Sequence, residues 1–285
     1  MLYVLVNPLA SAGKAEENVE EAIKNFTDEK VERLSLIDLD VKKVVSKAGI
    51  DDKILIIGGD GTLNRFANDT VDIEYPCSVY IYKSGTGNDF MKDLEDKVDN
   101  NMIKVNDYLV NLPIITVKGK KYRFINGIGY GIDGMCCEVA DKMREEGKTN
   151  INYAGISIKL LIHGYKCPDA KITVDGKVYN FKRVWLASAM KGRYYGGGMN
   201  IAPSQDRTSG KLTSAVIHNS GKLKTLLVFP KLFKGEHVKH TKIFTAIEGR
   251  KITVEFTHPC ALQIDGETVT GVSSYTVESP VKVKA

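Results

Sequence analysis

Apolar and polar positions in the first third of the chain follow two alternating patterns. Short apolar runs at Met1 to Val6, Val31 to Ile37, Ile54 to Ile57 and Val79 to Tyr82 predict buried strands. Between them, Ala15 to Phe26, Val41 to Lys47 and the stretch opening at Leu63 to Asn68 predict helices. Strand and helix in alternation predict a parallel sheet covered by helices. The pattern changes near Asn111-Leu112-Pro113. Beyond it come short β-rich runs at Ile114 to Lys118, Lys121 to Ile125, Lys171 to Val174, Lys177 to Phe181, Val184 to Ala189 and Lys211 to His218. More follow at Lys242 to Ala246, Lys251 to Phe256, Ala261 to Ile264 and Tyr275 to Val283. Two helices interrupt them, Gly134 to Arg144 and Ile151 to Gly164. The second has one apolar face, at positions 151, 154, 158, 161, 162 and 165. The expected architecture is an α/β domain over 1–112 and an antiparallel β-sandwich over 113–285.

Three glycine-bearing loops fall at the carboxyl ends of predicted strands, where ligands of parallel sheets bind. They are Asn7 to Lys14, Gly58 to Thr62 and Ser84 to Asn88. In the second, Gly58-Gly59-Asp60-Gly61-Thr62-Leu63-Asn64 runs from a strand into a helix start. Backbone amides and the helix dipole make such a junction a phosphate cradle. Asp60 does not fit as a simple cap. A carboxylate among phosphate-binding amides calls for a cation between them, and Mg²⁺ is the obvious one. In the first loop Lys14 is placed to reach a phosphate, although GxxxxGK[ST] is absent. In the third, Thr86 and Asn88 offer polar contacts, and Asp89 is a candidate to hold Lys14 or a metal. The plainer alternative for Asn88 or Asp89 is a helix N-cap.

With 43% apolar and 26% charged residues the chain is globular in composition. No apolar run approaches the roughly 18 residues that span a bilayer. Met1 to Asn7 reads as a strand and not as a signal peptide. Cys77, Cys136, Cys137, Cys167 and Cys260 lack CxxC spacing, which predicts reduced thiols and a cytoplasmic protein. His237 and His240 read as part of a solvated basic face, and no acid or cysteine lies nearby to complete a metal site. The net charge of +5 is modest and suits an anionic nucleotide, an anionic membrane or no specific partner. Basic-aromatic interleaving is missing, so nucleic acid is not an expected partner.

Taken in order, Asn-Pro…Ser…Gly-Lys, Gly-Gly-Asp-Gly-Thr-Leu-Asn and Gly-Thr-Gly-Asn-Asp-Phe resemble the catalytic domain of diacylglycerol kinases, in particular the soluble bacterial lipid kinases. The likeness continues through Asn126-Gly127-Ile128-Gly129-Tyr130-Gly131-Ile132-Asp133 and Tyr194 to Pro203, and ends at Asp265-Gly266-Glu267. It implies a nucleotide domain of NAD-kinase and phosphofructokinase type, a β-sandwich for the lipid, and an active site in the cleft between them. It implies ATP contacts from Asn7, Lys14, Ser35, Gly58, Gly59, Asp60, Gly61, Thr62, Leu63, Asn64, Thr86, Asn88 and Asp89. By the same resemblance Asp60 and Asp89 organise Mg²⁺, Asp265 is the general base and Glu267 assists. The residues alone give Asp265-Gly266 and Asp175-Gly176 equal standing as hairpin turns.

Two departures stand out. Relatives usually carry an acid where Ser209 stands, and that acid helps hold a structural Mg²⁺; Asp206 is the nearest carboxylate left for it. They also often carry arginine where Lys92 stands. The expected reaction is ATP-dependent phosphorylation of a lipid hydroxyl, diacylglycerol foremost. An NAD-kinase-like phosphotransferase and an inactive nucleotide-binding regulator are the alternatives. Lys222 to Lys242 mixes six lysines with Leu223, Leu226, Leu227, Val228, Phe229, Leu232 and Phe233, which suits transient contact with an anionic membrane. The plainer reading is a helix with its apolar side in the core. A homodimer is left open.

Overall fold

The structure, a computed structural model, describes residues 1–8, 15–84, 88–148 and 151–280. The chain divides into two compact units between Leu112 and Pro113.

The first unit runs β1 Leu2–Val6, α1 Ala15–Ile23, β2 Val31–Ser35, α2 Val41–Lys47, β3 Lys53–Gly58, α3 Asp60–Asp69, β4 Ser78–Lys83, α4 Asp89–Asp93, β5 Met102–Lys104 and α5 Asn106–Leu109. Its sheet has the order β2-β1-β3-β4-β5. The first four strands are parallel, and β5 pairs with β4 antiparallel. The sheet is therefore mixed, with an antiparallel edge that the strand-helix alternation did not predict. Ile54, Leu55 and Ile56 of β3 are all fully buried, because the strand is central and covered on both faces. Each such side chain contributes about 1.5–3 kcal/mol. Leu2, Val4, Val19, Leu55 and Ile57 form the core between sheet and α1. The chain leaves β1 toward β2 on one side and toward β3 on the other. The switch point of the sheet thus lies between β1 and β3, the place beyond the strand ends where ligands of such sheets bind.

The second unit starts with β6 Ile114–Val117, β7 Lys120–Arg123, β8 Gly127–Tyr130, α6 Ile132–Glu145 and α7 Tyr153–Lys159, which ends in a π turn, Leu160–Gly164. Strands β9 Ala170–Val174, β10 Lys177–Phe181, β11 Leu186–Met190, β12 Tyr194–Tyr195, β13 Met199–Asn200 and β14 Leu212–Ile217 follow. The unit closes with α8 Lys222–Val228, β15 Phe244–Gly249, β16 Lys251–Ile264 and β17 Glu267–Glu278. The runs read as separate at Lys251 to Phe256 and Ala261 to Ile264 are one long strand. β16 pairs along its length with β17, while its first half pairs with β9 and its last residues with β8. Register shifts between Glu255 and Leu262 bend it, which lets one sheet serve two layers. Ile172, Val254, Leu262, Tyr275 and Val277 lie in the core between them. No helix of the described residues is long and apolar enough to cross a membrane.

Candidate active site

In the first unit the candidate residues gather at the switch point. Asn7 follows β1 and donates through Nδ2 to Thr62 Oγ1 on α3, at 3.4 Å. That bond joins the loops after β1 and β3. Gly58 ends β3 where an added Cβ would stand 2.5 Å from Thr62 Oγ1, so only glycine allows α3 this close to the strand. Gly59 is the N-cap of α3 and has no side chain with which to occupy the first-turn amides. Those amides, with the dipole of a ten-residue helix behind them, are what a phosphate needs.

Asp60 is the first residue of α3, and it acts as a cap after all, on a different helix. Its Oδ2 accepts from Asp89 N (2.7 Å) and its Oδ1 from Phe90 N (2.9 Å). Both donors open α4, whose own N-cap Asn88 makes no side-chain cap bond. The carboxylate thereby braces the loop after β3 to the loop after β4. This corrects the expectation that only a cation explains an acid at this position. Asp89 is buried, as is Ser84, whose Oγ accepts from Asn18 Nδ2 of α1 at 2.8 Å. Leu63 is fully buried in the core and has no side-chain surface for a nucleotide. Asn64 Oδ1 accepts from Asn68 Nδ2 at 3.1 Å. Ser35 ends β2, exposed, and its Oγ accepts from Ile37 N. Lys14 and Thr86 lie outside the described residues.

In the second unit Asp265 and Gly266 form the turn between β16 and β17, with φ of 45° and 96°. Asp175 and Gly176 form the turn between β9 and β10 with φ of 47° and 85°. Both are therefore hairpin turns of the type that needs two positive φ values. Their carboxylates reach different neighbours. Asp175 accepts from Arg250 N and Lys251 N at the surface. Asp265 accepts from three successive amides ahead of and within β8: Ile125 N to Oδ2 (2.6 Å), Asn126 N (3.0 Å) and Gly127 N (2.9 Å) to Oδ1. Such a nest of amides favours the ionised carboxylate. Glu267 is exposed at the start of β17.

Sequence reasoning missed the support under this nest. Arg207 is buried and donates to Ile125 O and, at 2.9 Å, to Asn126 Oδ1. Lys191 N and Gly192 N donate to Asn126 O. An arginine in a Ser/Thr-rich loop carries no sequence signal for this role. The reading also passed over Asp133 as a titrating group. Gln263 Nε2 donates to its Oδ2 at 2.9 Å, and an added Cβ at Gly129 would collide with that oxygen. Burial pushes Asp133 up to about 6, against the hydrogen bonds from Gln263 and Tyr195.

Asp133 and Tyr195, with Ser157 and Thr225, are the polar side chains in the wall of a mostly apolar cavity of about 40 Å³. Leu161, Trp185, Val228, Phe229 and Leu232 line it, drawn from the π turn after α7, β11 and the α8 segment. On the outer side of those helices Ile158, Ile162, Leu223 and Leu227 are exposed, the last two at 73% and 67%. Lys222 Nζ donates to Ile162 O and ties the two segments together. The lysine-rich segment is therefore not a simple core-facing helix. His237 departs from its expected place on a solvated face, being fully buried against Phe244, with Nε2 at 3.1 Å from Ile201 O. All five cysteines are free.

Residues 1–117 match the family described as the diacylglycerol kinase catalytic domain, and residues 126–284 match the YegS C-terminal NAD kinase beta sandwich-like domain. The chain belongs to the diacylglycerol kinase catalytic-domain family. A diacylglycerol kinase of Mycobacterium tuberculosis (strain CDC 1551 / Oshkosh) is 24% identical over 254 residues, covering 85% of this chain and 81% of that protein. A proposed lipid kinase of Staphylococcus haemolyticus (strain JCSC1435) is 26% identical over 82% of this chain and 73% of its own length. A crystal structure of a proposed diacylglycerol kinase from Bacillus anthracis str. Sterne superposes with a TM-score of 0.70 at 22% identity, covering 97% of this chain and 91% of that one. The fold is thus that of the lipid kinases. Membership makes the chain a phosphotransferase of the lipid-kinase type.

Proposed function

We propose that this lipid kinase transfers the γ-phosphoryl group of ATP to a lipid hydroxyl, that of diacylglycerol, with Asp265 as the general base. The observation that carries the reading is the nest of Ile125, Asn126 and Gly127 amides, which holds the Asp265 carboxylate at a hairpin tip. Ionised, Asp265 takes the proton of the acceptor hydroxyl as its oxygen bonds to the γ-phosphorus and the bond to ADP breaks. The amides keep the carboxylate in place through that transfer, which lowers the reorganisation required. Glu267, two residues on, assists from the start of β17.

In the first unit, the amides of Gly59 to Thr62 hold the ATP phosphates, with Asn7 holding Thr62 in place. Mg²⁺ neutralises phosphate charge when bound, and Asp60 and Asp89 are the carboxylates beside the cradle that would hold it. Asp60 already accepts one amide on each oxygen, so it would serve both as brace and as ligand.

The lipid acceptor and an anionic membrane surface are supported by one arrangement in the second unit. Ile158, Ile162, Leu223 and Leu227 are exposed apolar side chains on segments that carry Lys222 and Lys224, and the mostly apolar cavity lies beneath the same segments. The test is incubation with γ-labelled ATP and separate acceptors: diacylglycerol, other lipid alcohols and NAD. Label in phosphatidic acid is expected. Label in NAD alone would replace this reading with a nucleotide kinase, and binding without transfer to any acceptor would mark a regulator.

A further inference from the structure

Residues 201–211 link β13 to β14, and the stretch 205–211 closes around a single side chain. Gln205 is buried. Its Nε2 donates toward three backbone carbonyls, Asp206 O and Lys211 O at 3.0 Å each and Lys191 O at 3.3 Å. Its Oε1 accepts from Thr213 Oγ1 at 2.6 Å. Three converging carbonyl oxygens are the donor set of a hard cation. The family resemblance implies a structural Mg²⁺ at this segment, held with the help of an acid at position 209.

The residues present do not fit that ion. Position 209 is serine, whose Oγ donates to Asp206 O at 2.8 Å and accepts from Lys211 N at 3.1 Å. The Asp206 carboxylate turns to its own loop, where Oδ1 accepts from Thr208 N and Thr208 Oγ1. Meanwhile the position that a cation would take among the carbonyls is taken by an NH₂ group. Its two N–H groups serve three acceptors, so one is shared. The assignment of nitrogen and oxygen follows from the partners. Turned over, Oε1 would face three carbonyl oxygens with no proton between them, an arrangement that only a cation would stabilise.

We infer that Gln205 replaces the structural cation: a neutral side-chain amide satisfies the carbonyl cage, and the loop is ordered without metal. The loop carries Arg207, which bonds Ile125 O and Asn126 Oδ1 and so supports the peptide units whose amides hold Asp265. The support under the candidate base therefore stands independent of divalent ions, whatever the nucleotide site requires. This inference does not rest on the identity of the acceptor.

The experiment uses the full chain without nucleotide, passed over a chelating resin. Two quantities are read: bound Mg²⁺ and Ca²⁺ by elemental analysis, and melting temperature in EDTA against millimolar Mg²⁺. Wild type is expected to hold well under one equivalent of metal and to melt within about 1 °C in the two buffers. Gln205→Ala is expected to melt several degrees lower in both buffers, since three carbonyls lose their donor. Gln205→Ala with Ser209→Asp empties the cage and adds a carboxylate, and is expected to regain several degrees in Mg²⁺ but not in EDTA. One retained equivalent of metal in wild type would overturn the inference. So would a Mg²⁺-dependent rise in wild type equal to that of the double variant, or an unchanged melt for Gln205→Ala. The wild-type measurements decide even if a variant fails to fold.

Discussion

Asp60, Asp133 and Asp265 are three carboxylates whose environments differ in kind, and the differences set what each does. Asp60 is held by two amides from another helix, Asp265 by three amides from another strand, and Asp133 by one side-chain amide in an apolar wall. The first two are anchored by backbone amides, and burial of the third opposes its charge. Asp133 has a folded-state value of about 6, above its ordinary 3.8. Between roughly pH 4 and pH 6 the folded protein therefore keeps a proton that the unfolded chain has released, and stability falls as pH rises through that window. Asp133→Asn removes the slope. Urea melts at pH 4.5 and pH 7.5 should show the variant gaining about 2 kcal/mol on wild type at the higher pH relative to the lower; parallel behaviour of the two proteins would contradict the assignment. None of this was legible from sequence. Asp133 was visible only as the end of a glycine-rich motif, because its partners Gln263 and Tyr195 are some 60 to 130 residues away.

At the level of elements, local rules read well wherever the signal was local. Val41–Lys47 is the helix expected, capped by Asp40, whose side chain accepts from Lys43 N. Elements shaped by distant partners were misjudged. The bend that joins two expected runs into β16 comes from its pairing with β9 and then β8, which apolar periodicity does not encode. The brace from Asp60 to α4 spans 29 residues, too far apart for the sequence pattern to show it. Asp60→Ala should lower the stability of the first unit by about 1–2 kcal/mol, the scale of a lost helix cap. It should weaken ATP binding as the loop after β4 comes loose. Calorimetric melts and nucleotide titration check both, and unchanged stability would remove the bracing role. On α8, the four-residue spacing of Leu223 and Leu227 puts both on the exposed face, beside Lys222 and Lys224. Replacing both leucines by serine should reduce sedimentation with anionic vesicles several-fold while leaving the melting temperature within about 2 °C. Equal binding by wild type to neutral vesicles would dismiss the electrostatic part of the proposal.

For the whole molecule, the ordered motifs carried the family across nearly the full chain, and the two units divide the chemistry the proposal needs. The proposed phosphate cradle follows β3, next to the switch point that the strand order sets. The candidate base lies at a hairpin tip of the second unit, and the hairpin itself gives no clue to its use. Asp175-Gly176 and Asp265-Gly266 share residue types, turn geometry and the habit of capturing backbone amides. They form a matched pair in which one member is proposed to be catalytic and the other anchors β9–β10 to the β15–β16 turn. The most direct test compares transfer of label from ATP to diacylglycerol by wild type, Asp265→Asn and Asp175→Asn, with melting temperatures measured alongside. Each substitution puts an NH₂ where an amide expects an acceptor, so both variants should lose some stability. Asp265→Asn should lose roughly 10²–10⁴-fold in kcat while Asp175→Asn stays within about twofold of wild type. Equal rates for the two folded variants would contradict Asp265 as the base.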